Sequence, residues 1–184
     1  MGRPVPGIAL IGAFTASILL VGCGASASGG PDEETLRVNL RVYAATVVET
    51  IDEAGTSIEM ATEDFHNDSR LSDPDIAVRR TAVREALQPM RDALTEAASD
   101  LSAIDVAKPM SDAHDELVRI VQDAASRMDG VLTAVRAVDS LDDFEAIGEE
   151  LVALGSDLEE EGAALCPTMQ DVLEDEGVDF DLEC

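Results

Sequence analysis

The sequence is poor in aromatic residues. It contains no tryptophan, one tyrosine and four phenylalanines among 184 residues, so any core must be built mainly from aliphatic side chains. Such a core favours packed helices over a sheet, in which aromatic and β-branched residues are preferred. A hydrophobic content of 46% also argues against a disordered chain, because disorder requires low hydrophobicity as well as high charge.

Positive charge is equally scarce, with 12 lysines and arginines against 39 acids. Arg3 is the only base before residue 32 and no acid precedes that residue, so the remainder carries 11 bases, 39 acids and a formal charge of −28. Such a surface repels nucleic-acid phosphates and anionic lipid headgroups. We therefore expect no nucleic-acid partner, whereas cations and basic proteins are compatible. Most of this charge is interpreted as solvated surface.

The segment 1–22 has the organisation of a secretory signal peptide. Arg3 and the amino terminus form a short positive segment, and the stretch 7–22 is uncharged. A permanent membrane-spanning helix needs about 20 apolar residues. The stretch is short for such a helix and suits the apolar part of a cleaved signal.

The uncharged stretch ends in Leu20-Val21-Gly22-Cys23, which resembles the lipobox of bacterial lipoproteins. The resemblance implies that diacylglycerol is attached to the sulfur of Cys23 and that a signal peptidase cuts between Gly22 and Cys23. Acyl chains such as palmitate would then anchor the mature protein to the extracytoplasmic face of the cell membrane. An ordinary cleaved signal peptide and an uncleaved anchor are the alternatives. In composition the chain is also similar to small helical lipoproteins of high-GC bacteria, which implies no activity.

These observations divide the chain into three parts. Residues 1–22 are the predicted signal peptide, residues 23–31 the lipidated cysteine and a flexible tether, and residues 32–184 one acidic helical domain. The eight tether residues after Cys23, GASASGGP, reach at most about 27 Å when extended. The domain is therefore expected to lie close above the membrane.

Apolar residues recur at alternating spacings of three and four in four segments, which is the pattern of helices packed in a bundle. The four stripes run over residues 36–65, 76–104, 110–138 and 144–165. Loops as short as those between them force sequential helices to be antiparallel neighbours. The fold class predicted is all-α, an up-down-up-down four-helix bundle with a short C-terminal tail.

Several residues mark where the predicted helices begin and end. Asp73-Pro74 resembles a capped start of the second helix, and Pro109 opens the third. Ser140 and Asp143 are spaced as a weak capping box for the fourth. Pro89 should bend the second helix without dividing it, and Pro167 should end or bend the fourth.

Three glycines, Gly148, Gly155 and Gly162, recur every seven residues beside the fourth stripe. Glycine destabilises a helix interior by about 1 kcal/mol, so three in register suggest the close approach of a neighbouring backbone. The alternative is that the spacing has arisen by chance in a glycine-containing chain.

Apart from Cys23, the sequence contains two cysteines, Cys166 and Cys184. An even pair in an oxidising compartment predicts an internal disulfide. This bond would pin a tail that would otherwise fray. A free thiol and an intermolecular bridge are the alternatives.

Patterns typical of catalytic and metal sites are weak or missing. We find no nucleophile motif, no glycine-rich phosphate loop and no haem-attachment motif. Glu63 and His66 fit the Glu-x-x-His spacing of di-iron bundles, but His114 lacks that spacing and should lie at the opposite end of the bundle. The acidic tail lacks the ligand order of a calcium loop. No catalytic residue, metal or cofactor is predicted.

The function expected from the sequence is therefore that of a lipid-anchored helical module without enzymatic activity, which binds a protein partner or forms part of the cell envelope. The alternative is a bundle that binds a metal or a small ligand through His114 or through carboxylates near one end. A sensory input domain is disfavoured, because no second apolar span or signalling segment follows.

Overall fold

The computed structural model of the protein describes residues 31–182 and residue 184. Within them the chain forms four helices: α1 (Pro31–Asn67), α2 (Ile76–Ala103), α3 (Ser111–Ala137) and α4 (Leu141–Asp175). Short 3₁₀ turns at Ser69–Ser72 and Lys108–Met110 precede α2 and α3. Because the described residues include no strand, the all-helical prediction is confirmed.

Core packing and polar contacts show that consecutive helices run antiparallel. Leu40, near the start of α1, shares a core cluster with Leu101, near the end of α2. Arg80 of α2 donates to the carbonyl of Val138, and Arg91 of the same helix lies 3.7 Å from Asp129 of α3. Residue numbers therefore rise along one helix as they fall along the other, and the ion pairs between α3 and α4 follow the same order. Close backbone contact joins each helix to the next, which confirms the predicted four-helix bundle.

The starts of the helices agree with the sequence to within a few residues. The capping box of α4 is present, since the Asp143 N–H donates to Ser140 Oγ at 3.2 Å and the Ser140 N–H donates to Asp143 Oδ2 at 3.0 Å. Pro109 does not itself open α3. It lies in the 3₁₀ turn that leads into the helix.

The predicted start of α2 at Asp73-Pro74 was wrong by two residues. Asp75 is the N-cap, and its carboxylate accepts the N–H of Ala77 at 2.8 Å. Asp73 instead ends the preceding 3₁₀ turn and accepts the N–H of Asp75 at 2.8 Å. Two nearby acids compete for the same role, and the turn before them decides which one is placed to cap the helix.

Both internal prolines lie within continuous helices. Pro89 does not divide α2, as predicted. Of the two alternatives predicted for Pro167, an end or a bend of α4, the end is excluded because that helix continues to Asp175. Both prolines are exposed, so the carbonyls left without a helical donor can bind water. The buried side chains of Met169 and Leu173 continue the apolar stripe beyond Pro167 and favour continuation of the helix.

The core consists of two clusters, one at each end of the bundle. The tail end is where α1 and α3 begin and α2 and α4 finish, and its buried centre includes Leu40, Leu101 and Leu173. The far end contains the other termini and is centred on side chains such as Leu87 and Val135. Aliphatic residues dominate both clusters, as the scarcity of aromatic residues predicts.

The glycines of α4 do not all mark a close helix contact. A Cβ atom added to Gly148 would meet no atom within 4 Å, so no neighbouring backbone approaches that residue. Close backbone contact between α4 and its remaining neighbour, α1, is also much sparser than that between consecutive helices. The close-approach explanation was wrong for Gly148.

Candidate functional site

The predicted lipid-attachment residue, Cys23, and the cleavage position between Gly22 and Cys23 lie outside the described residues, as do the whole predicted signal peptide and most of the tether. The structure begins at Pro31, where α1 starts, eight residues after Cys23. None of the helices in the described ranges is long and apolar enough to cross a membrane.

The C-terminal tail, described at residues 176–182 and 184, is attached to the tail end of the bundle by a disulfide. Cys166 of α4 and Cys184 are bonded, with their Cα atoms 5.6 Å apart, as predicted from the sequence. The buried Val178 and the half-buried Phe180 and Leu182 pack against the core cluster of this end. The tail is therefore part of the fold.

Polar contacts from two helices hold the backbone of the tail. From α1, Arg37 Nε donates to the carbonyl of Glu176 at 3.1 Å, and an Arg41 terminal nitrogen donates to the carbonyl of Asp179 at 3.1 Å. From α4, the side-chain amide of Gln170 donates to the Phe180 carbonyl and accepts the N–H of Leu182. These residues were not identified from the sequence, because spacing within a helix does not show which distant backbone a side chain meets.

The described acids of the tail are not gathered into a group of metal-ligating side chains. The part of the chain that the structure describes contains no group of three or more His, Cys, Asp or Glu side chains placed to hold a metal ion. Two carbonyl oxygens of the tail accept hydrogen bonds from the side chains of Arg37 and Arg41. The positive-φ residue of this region, Gly177, ends α4 with the backbone reversal for which glycine is favoured.

A buried tyrosine–histidine pair lies inside the tail end. Tyr43 Oη and His114 Nδ1 are 3.1 Å apart, and the two rings meet edge to face. Apart from Tyr43, His114 is the only polar residue buried among the described residues. The sequence placed both residues on helix stripes but did not pair them, since they belong to helices that are distant along the chain.

Burial changes the acid–base behaviour of both members of this pair. Burial raises the pKa of the Tyr43 hydroxyl well above its ordinary value, so that group stays protonated. Burial lowers the pKa of the His114 imidazole, an effect that the Asp115 carboxylate partly opposes. The neutral imidazole is therefore favoured, and each group can satisfy the other with one hydrogen bond.

The lowered pKa of His114 predicts that this residue makes stability depend on pH. Above the ordinary histidine pKa of 6.5 its contribution is fully present. As the pH falls below that value the unfolded chain takes up a proton more readily than the folded protein, so the contribution declines until the folded-state pKa has been passed. In urea unfolding, the wild type should therefore lose more stability between pH 7 and pH 5 than His114→Gln does. Parallel curves between pH 7 and pH 5 would contradict the prediction.

The two histidines are not brought together. His66 lies at the end of α1, at the far end of the bundle, where its Nδ1 is 2.8 Å from the Thr62 carbonyl. His114 lies near the start of α3 at the tail end. The two histidines therefore lie at opposite ends of the bundle, as predicted from the order of the helices.

A shallow groove of about 540 Å³ lies between α3 and α4 near the far end. Small and aliphatic residues such as Gly130, Ala134 and Ile147 line it. Arg127 lies at its rim, where it pairs with Glu150 and with Asp157 of α4. Its lining includes no serine, cysteine or histidine, so it offers a surface for contact and no nucleophile.

Comparisons with known protein families, with curated proteins and with solved structures find no match to this chain.

Proposed function

We propose that this chain is a lipoprotein precursor whose mature part is a helical module anchored by lipid at the extracytoplasmic face of the cell membrane, where it binds a protein partner without enzymatic activity. The observation that carries the proposal is Leu20-Val21-Gly22-Cys23 at the end of an uncharged stretch that follows Arg3. This order of segments is similar to that of lipoprotein leaders.

The chemistry of anchoring requires the thiol of Cys23. Its sulfur would carry diacylglycerol, and the amino group freed by cleavage after Gly22 would be available for a further acyl chain. Each buried CH₂ group contributes about 0.8 kcal/mol to membrane binding, so one chain holds a protein only marginally while two or more hold it firmly. The other cysteines, Cys166 and Cys184, are joined to each other.

The tether would place the tail end of the bundle next to the membrane. The helix α1 begins eight residues beyond Cys23, so its first turn would lie within about 27 Å of the lipidated residue. That turn carries Asp32, Glu33 and Glu34, which are repelled by anionic headgroups. The domain would therefore be held near the bilayer without lying on it, and its helix faces would be open to partners.

Replacement of Cys23 by alanine tests the anchor. We expect Cys23→Ala to abolish incorporation of labelled palmitate and to leave the leader uncleaved. The wild type should enter the detergent phase and begin at a lipid-modified Cys23, as read by mass spectrometry. The paired substitution Cys166→Ser/Cys184→Ser is the matched control and should acquire lipid normally. A wild-type protein that begins elsewhere, or that leaves membranes in plain buffer, would contradict the proposal.

The metal-binding alternative is tested separately by metal analysis of protein purified without chelator. The described residues provide no cluster of three ligands, and His114 Nδ1 already faces Tyr43 Oη. We expect no stoichiometric transition metal. One metal ion per chain would favour the alternative.

A further inference from the structure

Among the described residues, the side of the bundle between α1 and α4 is less closely packed than the others. Close backbone contact joins α1 to α2, α2 to α3 and α3 to α4, but no comparable contact joins α1 to α4. The apolar side chains along this side are half-buried, although their counterparts between the other helices are buried. We call this side the α1–α4 cleft and define it by Ile51, Gly55 and Ile58 on α1 and by Gly148, Leu151 and Gly155 on α4.

The contacts of the tail establish which faces of the helices border the cleft. On α4, Cys166 is joined to Cys184 of the tail by the disulfide. At 3.6 residues per turn, Gly148 lies five turns before Cys166 and Gly155 lies about three turns before it. On α1, Arg37 binds the tail, and Gly55 follows it by five turns. The glycines therefore lie on the same faces that hold the tail.

The tail itself fills this side of the bundle at one end only. Its Val178, Phe180 and Leu182 pack on the core between α1 and α4, so the protein already uses a separate apolar segment to cover this face. Beyond the tail, the stripe from Gly162 to Gly148 extends for about 21 Å at 1.5 Å per residue. At Gly148, the far end of this stripe, an added Cβ would meet no atom within 4 Å, so no described side chain covers that position.

Charge around the cleft is of one sign. The helix α4 contains no lysine or arginine, and α1 contains none after Arg41. Acids of α4 that face α3 are paired with arginines of that helix. In contrast, the exposed acids one turn from the cleft glycines form no ion pair within the described ranges: Asp52, Glu59, Glu145 and Glu159.

We propose that the α1–α4 cleft binds a basic amphipathic helix of a partner protein. Its apolar face would pack on half-buried side chains such as Ile51 and Leu151, and the glycines would allow its backbone to come close. Lysines or arginines along its flanks would pair with the unpaired acids of both rims. A second copy of this chain is a poor occupant, because its helices carry the same acids. The inference rests on the proposed binding role and is independent of the lipid anchor.

Binding of a synthetic helix tests the proposal. The full chain is purified from expressing cells in a non-ionic detergent. Fluorescence anisotropy then measures its binding to a five-turn amphipathic peptide with leucine and alanine on one face and lysine on both flanks. We expect saturable binding that weakens as salt rises, because exposed charges are screened. A peptide with glutamate in place of lysine should not bind.

Two matched variants locate the binding site. Gly148→Leu fills the cleft, whereas Gly130→Leu makes the same change on α3, where an added Cβ also meets nothing within 4 Å. Both changes raise helix propensity, so neither should unfold the protein. We expect Gly148→Leu to weaken peptide binding about tenfold, equivalent to about 1.4 kcal/mol, and Gly130→Leu to leave it unchanged.

Several outcomes would overturn the proposal. These are no binding by the wild type, equal weakening by both variants, equal binding of a sequence-scrambled peptide, or a wild-type dimer that Gly148→Leu converts to a monomer. The last result would show that a second copy occupies the cleft. If the protein carried no lipid, labelling of Cys23 with palmitate would show it. Peptide binding does not depend on that label, so the two proposals can fail separately.

Discussion

Leu101→Ala should lower the free energy of unfolding by about 2–5 kcal/mol. Leu101 of α2 is fully buried in the core cluster of the tail end. Its truncation removes buried methyl groups and leaves a cavity that helices tied by short loops and by the tail can only partly collapse. Urea denaturation followed by circular dichroism measures the change.

An exposed position on α1 provides the control for this substitution. Val42 is 60% exposed, so Val42→Ala should change stability by no more than about 0.5 kcal/mol. If the two substitutions had similar effects, the helix faces assigned to the core would be wrong. A loss at Leu101 well below the range expected for a buried leucine would show that the tail-end cluster is loosely packed.

Removal of the disulfide should have an effect of similar size. Cys166 and Cys184 close a loop with a sequence separation of 18, and a loop of about this length is worth about 3 kcal/mol on the chain-entropy model. Cys166→Ser/Cys184→Ser should therefore be less stable than the wild type by about that amount in urea. The tail should also detach more often, because only its hydrogen bonds and apolar contacts would then hold it.

Hydrogen exchange distinguishes a local effect from a global one. The Val178 N–H donates to the Leu173 carbonyl at 2.8 Å, and its protection reports the attachment of the tail. We expect protection at Val178 to fall further than protection of amides in the middle of α3, whose side chains pack in the core cluster of the far end. Unchanged protection of Val178 in the double variant would mean that packing alone holds the tail.

The helices could be predicted because the relevant information is local. Apolar residues spaced by three and four residues define one face of a helix wherever that face is buried, and Ser140 with Asp143 forms its capping box from neighbours in the chain. The disulfide followed from counting, since Cys166 and Cys184 were the only cysteines left after Cys23. The error at Asp73 arose where two nearby acids could each cap the same helix.

The pairs across the bundle could not be predicted in this way. The sequence placed Tyr43 and His114 on their helices, but only the packed bundle brings the hydroxyl within 3.1 Å of the imidazole nitrogen. The path of the tail, held by Arg37 and Arg41, depends on which helix lies beside the end of α4. Such contacts depend on rotation and separation of helices, which the spacing of apolar residues does not specify.

Four helices, their antiparallel order, an aliphatic core and the pairing of the two C-terminal cysteines all followed from the sequence, because periodicity, short loops and parity act through neighbours along the chain. The packed structure was needed to show that α1 and α4 make less backbone contact than consecutive helices do, and that within the described residues the tail packs at one end between them. Four helices with suitable faces can close into a ring or leave one side open. The choice depends on how their side chains fill the shared interior.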